Sequence, residues 1–448
     1  MQQTTNHLLR VLGMAFGYAA VVGAVVGQGI LRSPGIVAEA SDSVWVIMVL
    51  WIAGAGVALV SALPFAELAA AIPRTGGPLA YVEVAFGRRA GIAMALMLLG
   101  IYTTTSAILC FVIGEYLIRL GVGGGNIGPG ALGALCLILF SLANSIGTRS
   151  SGNLQILLSS AKGVVLIGLV ILLFAQPGAP PAEPEIARPT GGLLAYGVAM
   201  LVIVGTYNGW ADLVLYGEEV TDPGRSIPRA ILGGIVGIAG LYLLINLAIL
   251  HVLTPAQIAG SDLAAADAAA TVLGSGGDTV FTAFGVLSVA ALTNFGVMTT
   301  GRLVYAAGRD GILPRFLARV DKRGTPMPAI WISSLVASLF LISGTYLTLS
   351  ATSITLSQGA YVAVILAAIR LRKTQPDMAR PFTMPLFPLT VGLALAINLA
   401  LLAVFVVQDP ANALLGYGLL ALLWLLYLMI ARKGAPSEAP MQIGKTVK

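Results

Sequence analysis

The sequence has few of the residues that enzymes and metalloproteins use. Only 10% of its 448 residues are charged, whereas soluble domains carry about 25%. Its two histidines, His7 and His251, are too few for haem or a multi-histidine metal site. Its two cysteines, Cys110 and Cys136, fall within apolar runs and do not suggest a disulfide framework. We therefore expect no cofactor, no metal site and no enzymatic activity.

Apolar residues dominate the sequence instead. They make up 57% of the chain, and the mean hydropathy is +0.92. Runs long enough to cross about 30 Å of hydrocarbon recur from end to end. This composition predicts an all-α polytopic membrane protein. The polar segment Met1–Arg10 lacks the pattern of a cleaved signal peptide.

We predict twelve membrane spans in one membrane transporter domain covering residues 1–448. The predicted spans are 14–38, 44–71, 88–119, 129–147, 153–174, 192–220, 229–253, 277–307, 328–344, 346–371, 388–407 and 411–431. With the N-terminus inside, the cytoplasmic segments hold 21 Lys and Arg residues and the outer loops hold two. This asymmetry predicts cytoplasmic N- and C-termini, with a tail at 433–448, in an inner or plasma membrane.

The first span is interrupted at Gly23–Pro34, where three glycines, Gln28, Arg32 and a proline stand within an apolar run. Glycine and proline are frequent in membrane helices in general. A backbone opened at bilayer depth must nevertheless line a cavity or be buried in protein, and its free N–H groups attract anions. Arg32 lies in an outer vestibule or is a solvated charge.

The sixth span has a similar interruption at Gly205–Asp212. Broken spans five apart are typical of two inverted five-helix repeats with a binding site at the bilayer midplane. Asp212 follows this break, where it either meets a substrate ammonium or ends a helix. We therefore predict a substrate site between spans 1 and 6.

A single lysine, Lys162, stands within the fifth span. A charge inside the membrane costs several kcal/mol, so it usually faces the protein interior and has a partner. Lys162 is either a buried cation that takes the place of sodium or a lysine whose head reaches the cytoplasmic interface.

Several motifs resemble the amino acid–polyamine–organocation superfamily, and within it the L-type amino acid transporter branch. The family's Gly-Ser-Gly-Ile/Val-Phe…Pro signature corresponds to Gly27-Gln28-Gly29-Ile30 and Pro34. The L-type Tyr-Gly-Gly-Trp…Glu-Glu…Asn-Pro pattern corresponds to Tyr207-Asn208-Gly209-Trp210, Glu218-Glu219 and Asp222-Pro223. Further matches at the end of span 8 and before span 11 include Gly301-Arg302-Leu303 and Arg380-Pro381-Phe382.

The resemblance implies a LeuT-like fold of twelve transmembrane helices, with inverted repeats in spans 1–5 and 6–10 and two added helices. It implies that the backbone after the first break binds a substrate α-carboxylate at Gly27, Gln28 and Gly29. It also implies that carbonyls at the broken ends bind the α-ammonium, at Val25, Val26, Gly205, Thr206 and Tyr207. Lys162 corresponds to a lysine that bridges spans 1 and 8, near Thr293 and Asn294, and that argues for sodium-independent transport.

The sequence departs from the family pattern at Gln28, Gly205, Ala211 and Arg32. Gln28 stands in place of a small serine, and this larger side chain makes the carboxylate site smaller or changes its polarity. Gly205 stands where an aromatic residue often closes over the substrate, so any aromatic gate would come from Tyr207 or Trp210.

These patterns predict a sodium-independent secondary transporter of amino acids that works by alternating access, through exchange or proton coupling. A permease for polyamines or other amines, with Asp212 as counter-charge, is the alternative, and an ion channel is a third possibility.

We expect a small-molecule substrate, the lipid bilayer and no nucleic acid as partners. Neither cysteine lies in the loop after span 3, so no disulfide-linked partner subunit is predicted.

Overall fold

The structure is a computed structural model that describes residues 8–27, 29–41, 43–123, 127–178, 192–261, 263–274, 277–343 and 346–431. These residues form α-helices and short 3₁₀ segments, without a β-strand among them. Extended pairing in the described ranges is limited to two isolated bridges, Leu12 with Val220 and Thr75 with Tyr216. The predicted all-α fold is confirmed.

Sixteen α-helices follow one another in the described chain. The first eight are α1 (Met14–Val25), α2 (Gly29–Ala40), α3 (Val44–Ala71), α4 (Pro78–Phe86), α5 (Arg88–Arg119), α6 (Pro129–Ser145), α7 (Thr148–Phe174) and α8 (Gly192–Thr206). The others are α9 (Pro223–Val252), α10 (Pro255–Ile258), α11 (Ala264–Leu273), α12 (Gly277–Arg309), α13 (Met327–Ser343), α14 (Tyr346–Thr374), α15 (Leu389–Gln408) and α16 (Pro410–Ala431). Two 3₁₀ segments cover Trp210–Leu215 and Arg315–Ala318.

The helices are those of a multi-pass membrane protein. In the described part of the chain, nine helical segments are long and apolar enough to cross a bilayer. The α1–α2 pair, bent by 48° at its break, adds a tenth candidate span. Helices α6 and α13, at predicted spans 4 and 9, are apolar helices of 17 residues.

Some helices begin earlier than hydropathy predicts. Helix α7 begins at Thr148 rather than 153 because its first turn, Thr148-Arg149-Ser150-Ser151, is polar and invisible to a hydropathy criterion. Helix α9 begins at Pro223 rather than 229, with proline in the first turn, where its missing N–H costs nothing. Helix α4, between spans 2 and 3, was not predicted at all.

The spans of the second half of the chain, 6–10, pack in the same scheme as the spans of the first half, 1–5. Helix α5 (span 3) packs on α6 (span 4) and α14 (span 10), and α12 (span 8) correspondingly packs on α13 (span 9) and α7 (span 5). Span 2 packs on span 7 through α3 and α9, and α2 of span 1 packs on α8 of span 6. This arrangement is expected of two inverted repeats, and it brings the two breaks together at their interface.

Candidate functional site

The break in span 1 is short. Helix α1 ends at Val25, and Val26 adopts an extended conformation (φ −74°, ψ 93°) before α2 begins at Gly29. A Cβ added to Gly29 would lie 3.0 Å from Thr206 Oγ1 and 3.3 Å from its Cα. The absence of a side chain at Gly29 therefore lets the two breaks approach each other. Gln28, a predicted carboxylate ligand, lies outside the described residues.

The break in span 6 is longer and has a different form. Helix α8 ends at Thr206, three residues form a turn, and the chain continues as a 3₁₀ segment from Trp210. Gly209 has φ 115°, which favours glycine, and a Cβ there would lie 2.7 Å from the Ala24 carbonyl oxygen. A hydrogen bond of 2.6 Å between the Ser33 and Thr206 hydroxyls joins the two broken spans.

Lys162 is fully buried and binds the first break. Its Nζ donates to the Gly23 carbonyl at 3.1 Å and to the Val26 carbonyl. Both carbonyls lie near the end of α1, where the helix no longer supplies all hydrogen-bond partners. The Lys162 side chain is therefore buried inside the bundle and does not extend to its surface.

The predicted neighbours of Lys162 on span 8 make other contacts. Asn294 accepts a hydrogen bond from Asn144 Nδ2 at 3.0 Å and donates to Gln155 Oε1 at 2.8 Å. The Thr293 hydroxyl is buried and has no hydrogen-bond partner among the described residues. In this structure the hydrogen bonds of Lys162 thus lead to span 1, and Asn294 joins spans 4, 5 and 8.

Tyr242 of α9 was missed from the sequence, although it holds both breaks. Its buried hydroxyl lies 3.1 Å from the Val25 carbonyl oxygen and 3.2 Å from the Thr206 carbonyl oxygen. These are the last residues of α1 and α8. The sequence could not predict this role for Tyr242. Tyrosine is common in helix cores, and nothing in the apolar run of span 7 connects this residue with either break.

The two predicted gate aromatics are packed inside the bundle. The Tyr207 side chain is 1% exposed and its ring lies against Trp51 and Tyr242. The Trp210 ring makes edge contacts with Phe65 at 5.2 Å. Gly205, in contrast, is exposed, and a Cβ there would meet nothing within 4 Å. Space is therefore open at Gly205.

Polar side chains of the second break are held by tyrosines from other spans. The Tyr102 hydroxyl of α5 donates to Asp212 Oδ1 at 2.6 Å. The Tyr361 hydroxyl of α14 donates to Asn208 Oδ1 at 2.6 Å, and Asn208 is exposed. Asp212 therefore lies within the 3₁₀ segment, bonded to span 3, and not at the end of a regular helix.

The bundle is closed on the side where α1 begins. The Tyr216 ring stacks on Phe295 at 5.5 Å and meets the edge of Phe16 at 5.3 Å. Arg302 forms a bidentate ion pair with Glu219 through two hydrogen bonds of 2.9 Å, and both side chains are almost fully buried. This closure links spans 1, 6 and 8.

A second ionic cluster lies beside this closure. Arg309 Nη1 donates to Glu218 Oε1 at 2.6 Å, and Arg309 Nε donates to Asp310 Oδ1 at 3.1 Å. Arg74 also lies 3.4 Å from Asp310 Oδ1. In the sequence, Glu218, Glu219 and Arg302 stand out only as parts of motifs. Their pairing could not be predicted, because the paired residues are 83 to 91 positions apart.

No group of three or more His, Cys, Asp or Glu residues that could hold a metal ion occurs within the residues that the structure describes. Cys110 is buried and Cys136 is partly buried, and both are free thiols. The polar groups at the two breaks are instead backbone carbonyls, hydroxyls, an amide, one carboxylate and one ammonium. This set suits a charged organic molecule of zwitterionic or cationic type.

Comparison with known proteins gives a consistent result over almost the whole chain. The model of the amino acid permease family matches residues 12–430. The chain is 29% identical over 420 residues to the b(0,+)-type amino acid transporter 1 of Mus musculus, which covers 91% of this chain and 85% of the relative.

Two other relatives have similar coverage. The large neutral amino acids transporter small subunit 2 of Mus musculus is 30% identical over 400 residues, 85% of this chain and 74% of the relative. The Asc-type amino acid transporter 1 of Rattus norvegicus is 29% identical over 394 residues, 84% of this chain and 72% of the relative. All three relatives are named as amino acid transporters.

Proposed function

The chain belongs to the amino acid permease family, and on that premise we propose that it is a sodium-independent secondary transporter of amino acids. The substrate binds between the two breaks, and the bundle opens alternately to the two sides of the membrane. The whole chain acts as one membrane domain, without covalent chemistry. Its relatives' names support an amino acid as the substrate.

The proposed carboxylate site is the first turn of α2 and the backbone before it, at Gly27, Gln28 and Gly29. The first N–H groups of a helix have no intrahelical partner, and the helix dipole favours an anion there. Gly29 keeps this turn close to Thr206, without a side chain between them.

The proposed ammonium site is formed by carbonyls at the ends of α1 and α8, those of Val25, Val26 and Thr206. Each already accepts a hydrogen bond from Tyr242 or Lys162. A carbonyl oxygen has two lone pairs, so each can accept a second bond from a substrate. Gly205 and Tyr207 border this site, and the open space at Gly205 receives the substrate side chain.

The buried ammonium of Lys162 is the observation that carries the sodium-independent mechanism. It donates to two carbonyls near the end of α1, as a bound cation would be bonded there. A fixed positive charge at this place makes a sodium ion unnecessary. Transport is then driven by exchange of substrates or by a coupled proton.

Thermal-shift titration of the purified protein tests the proposal. Amino acids and amines are screened at two pH values, with and without sodium. We expect saturable, stereoselective stabilisation by an amino acid that is independent of sodium. Stabilisation that requires sodium would overturn the sodium-independent mechanism, and a conductance without saturable exchange in proteoliposomes would favour a channel.

A permease for polyamines or organic amines is the second candidate, because Asp212 places a carboxylate in the second break. Competition uptake separates the two functions. The amine function requires that putrescine displaces the bound substrate and that Asp212→Asn abolishes this displacement. Displacement by amino acids alone, unchanged in Asp212→Asn, supports amino acid transport.

The membrane orientation is also part of the proposal. The excess of Lys and Arg in one set of loops supports cytoplasmic termini, including the tail at 433–448, in an inner or plasma membrane. Residues 120–128, after α5, contain no cysteine, which supports transport without a disulfide-linked partner subunit.

A further inference from the structure

A surface pocket lies beside the C-terminal end of α12, outside the proposed transport site. Its volume is about 330 Å³, and its lining includes Tyr305, Arg309, Arg315, Phe316 and Arg319. Three of the lining residues are arginines, and no carboxylate lines the pocket. The pocket is therefore strongly basic.

The charge of one of these arginines is already compensated. Arg309 pairs with Glu218 at 2.6 Å and with Asp310 at 3.1 Å. The side chains of Arg315 and Arg319, in contrast, make no hydrogen bond or ion pair with the residues that the structure describes. They stand one turn apart around the short 3₁₀ segment, so two uncompensated guanidinium groups border the same pocket.

The segment is anchored so that it presents a mixed apolar and basic surface. Leu317 is 3% exposed and packs in a cluster with Leu8, Val304 and Tyr305. Its neighbour Phe316 is 46% exposed. An exposed aromatic ring between two arginines, at the end of a membrane span, is suited to the boundary between lipid headgroups and acyl chains.

We propose that this pocket binds the phosphate group of an anionic molecule, with Arg315 and Arg319 as its ligands. Arginine binds phosphate oxygens bidentately, and basic pockets at the cytoplasmic ends of membrane spans bind anionic headgroups. The exposed ring of Phe316 favours a phospholipid over a free phosphate ion. This site is independent of the transported substrate.

The test measures thermal stability of the purified full-length protein in nanodiscs of phosphatidylcholine with increasing phosphatidylglycerol. We expect phosphatidylglycerol to raise the melting temperature. In the Arg315→Gln/Arg319→Gln double variant, the half-maximal effect should need about 30-fold more phosphatidylglycerol, since each arginine contributes about fivefold.

The matched control is the double variant Arg225→Gln/Arg229→Gln. These arginines have the same spacing, are exposed at the start of α9 and lie outside the pocket. We expect this control to keep the wild-type response. Equal losses in both double variants would indicate diffuse charge attraction and overturn the site, as would an unchanged response in Arg315→Gln/Arg319→Gln.

A second arm distinguishes the source of the phosphate. Inorganic phosphate and glycerol 3-phosphate are titrated in pure phosphatidylcholine nanodiscs. No response to either, with a response to phosphatidylglycerol, assigns the pocket to a lipid. A response to the soluble phosphates that Arg315→Gln/Arg319→Gln abolishes supports the phosphate site and assigns it to a soluble ligand. No response to any of the three probes would overturn the proposal.

Discussion

The two breaks at the centre of the molecule are stabilised in opposite ways. At the first break the polar atoms are backbone carbonyls, and Lys162 and Tyr242 of neighbouring helices donate to them. At the second break the polar atoms of Asn208 and Asp212 are side-chain oxygens, and tyrosines of α5 and α14 donate to them. The first break is thus defined by its backbone and the second also by its own side chains.

Because of this difference, substitutions at the two breaks should affect transport in different ways. Val25, Val26 and Gly27 contribute no polar side chain, so substitutions there act mainly through shape. The donors that hold them lie more than 130 residues away in the chain. We therefore expect substitutions of the distant donors to reduce transport most. Substitutions of the tyrosines that bind side chains of the second break should reduce it less.

Replacing Lys162 should have the largest effect. Lys162→Ala leaves two buried carbonyls without their donor, and each unsatisfied group costs about 1–3 kcal/mol. We expect the protein to fold but exchange in proteoliposomes to fall roughly 30-fold or more. Lys373→Ala, which removes an exposed lysine at the end of α14, is the control and should exchange normally. Wild-type exchange in Lys162→Ala would contradict a role for this ammonium.

Filling the contact between the two breaks should be nearly as harmful. In Gly29→Val the added atoms collide with Thr206, and overpacking of this kind costs about 1–3 kcal/mol. We expect substrate affinity in a thermal-shift titration to fall about tenfold or more. Gly237→Val, at an exposed glycine of α9 with open space around it, is the control. Unchanged affinity in Gly29→Val would refute the placement of the substrate between the breaks.

Removing the hydroxyl shared by both breaks tests whether they act together. Tyr242→Phe keeps the ring but deprives the Val25 and Thr206 carbonyls of their donor. We expect substrate affinity to fall about tenfold, for a loss of about 1–2 kcal/mol. Tyr417→Phe removes a similar tyrosine–carbonyl bond, to Thr355, which belongs to neither break, and should leave affinity unchanged. Equal effects of the two variants would mean that Tyr242 is only a packing residue.

The smallest effect is expected at the second break. Tyr361→Phe removes the bond to Asn208, which is exposed, so water can replace the lost donor. We expect less than about a threefold change in affinity, near the lower end of the about 0.5–1.5 kcal/mol that a net hydrogen bond contributes, because water replaces the lost donor. Tyr102→Phe, at the less exposed Asp212, serves for comparison. A loss in Tyr361→Phe as large as that in Lys162→Ala would show that the two breaks do not differ as described.

Sequence patterns predicted what depends on local composition. Apolar length located the spans, and glycine and polar residues within those runs located both breaks. Lys162 was identified because a charge within a span is rare and must be compensated. Each of these signals lies within about twenty residues of chain.

Contacts between distant segments were not predictable in the same way. Tyr242, the Arg302–Glu219 pair and the amide contacts of Asn294 join residues 36 to 217 positions apart. Hydropathy cannot identify them, because a hydroxyl or an amide in an apolar run changes the average little. Likewise α4 could not be predicted as a span, because its nine residues are too few to cross a bilayer; most of them are buried against α5 and α14.

The position of the Tyr242 hydroxyl between two acceptors has a consequence for substrate binding. A tyrosine hydroxyl carries a single proton, so it cannot donate at full strength to the Val25 and Thr206 carbonyls at once. Without a further donor, the two carbonyl oxygens share this one proton, and at least one of them accepts a weakened hydrogen bond. An ammonium that donates to that oxygen lets the proton settle on the other. The Tyr242 hydroxyl and a substrate ammonium together can therefore supply a full hydrogen bond to each of the two carbonyls, which the hydroxyl alone cannot.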